Sequence, residues 1–118
     1  MDLVIRNGTV VTAGEISQAD VGIAGGIVTQ IGRGLGPATQ AIDANGKYLF
    51  PGGVDVHTHV DFELLGNRSV DDFYSGTAAA ACGGVTTIVD YALPEPGQSI
   101  QGSIESWQKK AKDKAIID

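Results

Sequence analysis

The stretch FPGGVDVHTHVDF, Phe50 to Phe62, marks a change of pattern along the chain and holds both of its histidines, His57 and His59. Pro51, Gly52 and Gly53 punctuate the chain, and Gly53 to Val56 reads as a short apolar strand. Residues i and i+2 of a strand leave the same face, so His57 and His59 point one way and Thr58 the other. Two neutral imidazoles placed like this can converge on one ion such as zinc, and a catalytic metal site keeps a further position open for water. Two ordinary histidines satisfied in a core or at a surface give the same short spacing, so position in the fold has to decide between the readings. Asp55 precedes His57 by two residues on the same face. It suits a group that orients a ligand, and equally a solvated or turn-capping aspartate.

Upstream, residues 1 to about 50 read as short strands joined by hairpins. LVIRNGTVVT has two β-rich runs around Asn7-Gly8, a dipeptide that tolerates the positive φ angles of a type I′ turn. DVGIAGGIVTQIG repeats the design around Gly25-Gly26, and AIDANGKYLF offers two further short strands around Asn45-Gly46.

Downstream, apolar strands alternate with segments of helical length, as parallel βα units do. Ser69 is a candidate helix cap with Asp71 and Asp72 behind it, and Phe73, Thr77, Ala80 and Ala81 give that helix a small-residue face. Gly83-Gly84 ends it, and VTTIVDY follows as a strand expected to be buried on both sides. Ile100, Ile104, Trp107 and Ala111 draw one stripe along a second helix, and AIID begins a third strand. The fold class expected is therefore α/β, with a β domain over residues 1–50 and a βα domain over 51–118. Two βα units and the start of a third strand leave parallel strand edges unpaired, so the sequence reads as the N-terminal part of a longer protein.

Eight Lys and Arg stand against fourteen Asp and Glu among 118 residues, a net charge of −6. That balance provides no basic surface for a phosphate backbone, so neither nucleic acid nor an anionic membrane is expected as a partner. No apolar run approaches the ~20 residues of a bilayer span, and the start lacks the pattern of a secretory leader. The single cysteine, Cys82, cannot form an internal disulfide, which fits a reducing cytoplasm. In an alanine-rich helix it is expected to be a small buried apolar residue without chemistry. Asp90, at a strand end, is expected to cap the next turn rather than to act in catalysis.

FPGGVDVHTH, together with VIRNGTVVT, AIDANGKYLFPGG and GTAAAACGGVTTIVDYALPEPGQSI, resembles the amidohydrolase superfamily and within it the dihydropyrimidinase and D-hydantoinase branch. The resemblance implies a (β/α)8 TIM-type barrel, here truncated, preceded by strands of a β-sandwich. It implies that His57 and His59 are metal ligands of a two-zinc site, and that the enzyme hydrolyses the ring amide of a small cyclic amide or imide to an N-carbamoyl amino acid. The bridging carboxylated lysine and the acid/base aspartate of that family have no counterpart before residue 118, so no catalytic residue is expected within this chain. Lys47, Lys109, Lys110, Lys112 and Lys114 read instead as solvated charges. The family also implies a homo-oligomer, commonly a tetramer, for the complete protein.

Dihydroorotases of the superfamily usually carry an arginine just after the two histidines to pair with a substrate carboxylate. Here VDFELL follows and the first arginine is Arg68, which favours a neutral ring. In hydantoinase-like enzymes the loop after the first barrel strand forms an apolar gate over the substrate's exocyclic group. Phe62, Leu64 and Leu65 occupy that loop, with Leu65 the leading candidate, although three apolar side chains can also simply cover a rim. Another branch such as allantoinase, or a non-catalytic β-rich module, would use the same residues differently.

Overall fold

A computed structural model describes residues 1–118, and the chain divides into two compact units, Met1–Pro51 and Gly52–Asp118. The first unit is one mixed sheet of five strands: β1 (Leu3–Val11), β2 (Ile16–Ala24), β3 (Ile27–Gly32), β4 (Gln40–Asp43) and β5 (Tyr48–Leu49). β1 is the spine. It pairs antiparallel with β2 and, along its other edge, parallel with β4 and then β5. The turn from Ala44 to Lys47 is what lets the chain step aside and resume in the same direction. β2 and β3 form the hairpin expected at Gly25-Gly26, where both residues adopt positive φ of 58° and 76°. Residues 1–51 therefore form one sheet, and that sheet is not built from hairpins alone.

Asn7-Gly8 is not a hairpin turn. β1 runs straight through it, and the pairing with β2 slips between Ile5 and Gly8 as a bulge. Asn7 does take the positive φ that its sequence suggested, 61°, but that conformation serves the bulge. The reason is tertiary. Asp20 Oδ1 accepts the Asn7 N–H at 3.0 Å, and the Asn7 amide donates to Asp43 at 3.0 Å. Both partners lie on other strands, so they draw Asn7 into the sheet and move the actual turn to Thr12–Glu15. The core of the unit is formed by Val4, Val10, Ala19, Val21 and Ala44, with Asp20 buried among them. Asp20 is held by Asn7, by the Leu35 N–H and by Arg6.

The second unit begins with β6 (Gly53–Thr58), which reaches two residues further than the apolar run implies and so includes His57. The hairpin β7 (Glu63–Leu64) and β8 (Asn67–Arg68) follows, then α1 (Phe73–Cys82), β9 (Val85–Asp90) and α2 (Ile100–Ala111). β6 and β9 pair in parallel, joined by α1, which is the βα unit that the sequence indicates. Gly52 is required for this pairing, because a Cβ there would collide with the side chain of Thr86 on β9. Asp118 donates to the Thr86 carbonyl at 3.2 Å and accepts from the Ile88 N–H at 2.7 Å, the bonding of a parallel neighbour on the far side of β9.

Several local expectations change here. Asp72, not Ser69, caps α1: its carboxylate accepts from Tyr74 and Ser75 N–H, and Ser75 returns a bond to the Asp72 N–H. Ser69 is taken by the hairpin, exchanging bonds with Phe62 across its base. Cys82 is exposed rather than buried, because it lies in the last turn of a helix that buries only Phe73 and Thr77. Ile100 is 75% exposed and Ile104 is exposed as well, so of the stripe expected on α2 only Trp107 and Ala111 are partly covered. β9 is not buried on both sides either; Val89 is exposed because no element of the unit covers that face.

Candidate functional site

The histidines sit where β6 ends. His57 is in the strand, His59 is one residue beyond it, and the two Nε2 atoms approach to 3.2 Å. Two nitrogens bound to one zinc at about 2.0–2.1 Å with a near-tetrahedral angle stand about 3.3–3.4 Å apart, so the separation fits a shared ion. Both rings are exposed, so an ion could reach them without moving the fold. No third histidine, cysteine, aspartate or glutamate joins them to complete a metal cluster. Two ligands fall short of the three or four that zinc takes from a protein. The chemistry available within these residues is therefore that of half a site.

Aromatic side chains frame the pair. The Tyr91 ring lies 4.6 Å from that of His57 and 5.7 Å from that of His59, centroid to centroid. Phe62 lies 5.1 Å from His59. Tyr91 carries no signal in the sequence beyond its place at the end of an apolar strand, and it enters the site because β9 is the parallel neighbour of β6.

Asp55 is not directed at an imidazole. Its carboxylate accepts the backbone N–H of His57 at 3.1 Å, so it shapes the strand end rather than a ring tautomer. The residues read as a loop after His59 form a two-stranded hairpin, with Glu63 opposite Arg68 and Leu64 opposite Asn67. Leu65 and Gly66 make its turn with φ of 52° and 77°, and Leu65 is 91% exposed. Of the three gate candidates, Phe62 is the one whose ring lies against the histidine pair.

The hairpin is anchored from below. Asp61, buried with φ of 48°, pairs with Arg68 at 2.6 Å, and its carbonyl accepts from Lys110 at 2.8 Å. The contact with Asp61 stabilises the Arg68 guanidinium in its charged form. Lys110 also lies over the Trp107 ring at 4.2 Å, and Lys114 pairs with Asp72 at 3.3 Å. Neither lysine is simply solvated. Backbone donation from Ser75, then the hydrogen bond and charge of Lys114, lower the Asp72 pKa from its usual carboxylate value.

Parallel strands with side chains gathered at their C-terminal ends define an α/β protein of the kind that places its chemistry on that rim. The chain is 52% identical to D-hydantoinase of Ralstonia pickettii over 118 residues, all of this chain and 26% of the relative. A solved D-hydantoinase structure superposes with a TM-score of 0.96 at 52% identity, and dihydropyrimidinase of Brevibacillus agri with 0.95 at 50%; each match covers all of this chain and 26% of the other. By these similarities the chain belongs to the D-hydantoinase and dihydropyrimidinase family, matching the N-terminal part of its members. It spans about a quarter of the length of the curated relatives it matches. No protein-family model matches it. No helix is long and apolar enough to cross a membrane.

Proposed function

We propose that these residues supply the first metal-gripping strand of a zinc-dependent cyclic amidase. The substrate would be a hydantoin or a dihydropyrimidine, opened to an N-carbamoyl amino acid. The observation that carries this reading is the 3.2 Å approach of His57 Nε2 to His59 Nε2 at the end of a parallel strand, in a chain of the hydantoinase family. The chain's part is to hold metal on these two imidazoles, with the remaining ligands and the proton-transferring group coming from residues outside 1–118 in a completed (β/α)8 barrel. Bound zinc would supply a water acidic enough to ionise near neutral pH and a Lewis acid for the ring carbonyl. Phe62, Leu64 and Leu65 form the rim that meets the substrate's exocyclic group, Phe62 from beside His59 and Leu65 from the hairpin tip. A cytoplasmic homo-tetramer is the assembly proposed for the complete enzyme.

The test compares the 118-residue chain with a longer enzyme that contains it. The longer protein should open hydantoin and dihydrouracil rings, and His57→Ala should remove both zinc and turnover. The 118-residue chain should open neither ring. Zinc-dependent turnover by that chain alone would show that the proposed division of labour is wrong, and an inert longer protein would remove the cyclic-amidase reading.

A further inference from the structure

Asp90, the last residue of β9, gathers three donors. Its Oδ1 accepts from the Thr58 hydroxyl at 2.7 Å and from the Val60 N–H at 2.9 Å. Its Oδ2 accepts from the indole N–H of Trp107 on α2 at 2.6 Å. Thr58 lies between the two histidines and Val60 directly follows the second, so one carboxylate grips the chain on both sides of His59.

The ladder cannot do this by itself. The pairing of β6 with β9 is irregular between Asp55 and Thr58, the interval that contains His57, and β6 ends at Thr58. Beyond that point backbone pairing contributes one bond, from the Tyr91 N–H to the Thr58 carbonyl at 3.2 Å. The path of the chain between the imidazoles is thus fixed from the side chain of Asp90, and Trp107 fixes Asp90 in turn. We propose that Asp90 is a positioning residue for the His57 and His59 pair, setting the approach of the two Nε2 atoms. This rests on the reading that the pair holds a metal. Groups that hold metal ligands in place are commonly worth tenfold or more in affinity.

The experiment is a Zn2+ titration by calorimetry of the metal-stripped longer enzyme that contains these residues, with the indole 15N–1H NMR signal of Trp107 in the 118-residue chain, where it is the only tryptophan, as a second readout. Asp90→Ala removes all three acceptor contacts and should weaken Zn2+ binding by about tenfold or more. Asp90→Asn can keep an oxygen toward Thr58 and Val60 while turning an amide toward the indole. It should hold affinity within about threefold and still shift the indole signal, a rescue that a merely stabilising role would not produce. Thr58→Val, which removes one donor and keeps the shape, covers the case in which Asp90→Ala does not fold and should also weaken binding. Unchanged Zn2+ affinity in a folded Asp90→Ala, or in Thr58→Val should Asp90→Ala not fold, overturns the inference while leaving the metal reading intact. Equal loss in Asp90→Asn and Asp90→Ala also overturns it. If the unaltered longer enzyme takes up no Zn2+, or its His57→Ala variant takes it up equally well, the metal reading fails and the inference falls with it.

Discussion

The two units differ in what they bury. In Met1–Pro51 the buried side chains are Val4, Val10, Ala19, Val21 and Ala44, with Asp20 as the polar exception. In Gly52–Asp118 they are Asp61, Thr77 and Ser103, with Phe73 as the apolar exception. The first is held by apolar packing along its sheet, with one polar cluster of Arg6, Asn7, Asp20 and Asp43 tying distant segments to β1. In the second, polar side chains bind segments far apart in sequence: Asp90 to Trp107, Lys110 to Asp61, and Thr77 Oγ1 to the Ile116 N–H at 3.2 Å. The difference teaches that the unit carrying the histidines is built to fix positions, because hydrogen bonds are directional and apolar contact is not.

The largest effect should follow from His57→Ala, which should abolish zinc binding while the unfolding midpoint stays put, since that ring is exposed. A large loss of stability would break the comparison by making the histidine part of the packing. Next come two substitutions that probe how each unit is held. Val4 is fully buried in the first unit, and Val4→Ala should cost about 2 kcal/mol, read from denaturant unfolding. Gly52→Ala in the second should cost about 1–3 kcal/mol through its collision with Thr86, and adding Thr86→Gly, which also removes the Cβ that would stand 2.7 Å away, should relieve it. Failure of that rescue would mean that close strand approach is not what requires the glycine.

Acid provides a smaller, sharper probe. The Asn7 N–H, ahead of Leu35 and Arg6, holds the Asp20 pKa below its unfolded value of 3.8 despite opposing burial. A depressed folded pKa means that the unfolded chain binds more protons, so this stabilisation is present above about pH 4 and is lost as pH falls through the folded value. Asp72 has the same sign through Ser75 and Lys114 in the second unit. Unfolding followed from pH 5 to pH 2 should lose part of its slope in Asp20→Asn and part in Asp72→Asn; a slope unchanged by both would remove the carboxylates from the account. The smallest stability effect belongs to Leu65→Ala at the hairpin tip, within about 0.5 kcal/mol. In a complete enzyme the same change should alter the ratio of kcat/KM for bulky and small 5-substituted hydantoins with zinc content intact. An unchanged ratio would reduce Leu65 to a rim residue.

How far the sequence could be read follows the same division. Gly25-Gly26 announced a hairpin correctly because a turn with two positive φ angles needs residues that accept them, a requirement satisfied locally. Asn7-Gly8 announced one just as strongly and became a bulge, since Asp20 and Asp43 reach it from other strands. Ser69 and Asp72 both had the chemistry of a helix cap. Only the hairpin, by engaging Ser69, decided between them.

By itself the sequence determined the strand and helix periods, the change of pattern at Pro51, and that the His57 and His59 pair stands at the end of an apolar strand, because each is a property of backbone geometry over a few residues. The tertiary structure decided that the Nε2 atoms stand 3.2 Å apart, that Asp55 serves a backbone amide, and that Asp90 with Trp107 braces the strand end. The first two are side-chain choices between residues two positions apart, which a strand pattern leaves open; the third depends on Thr58 and Trp107, 32 and 17 positions from Asp90, brought within about 3 Å by the fold, and hydrogen bonds at that range have no period for a sequence to display.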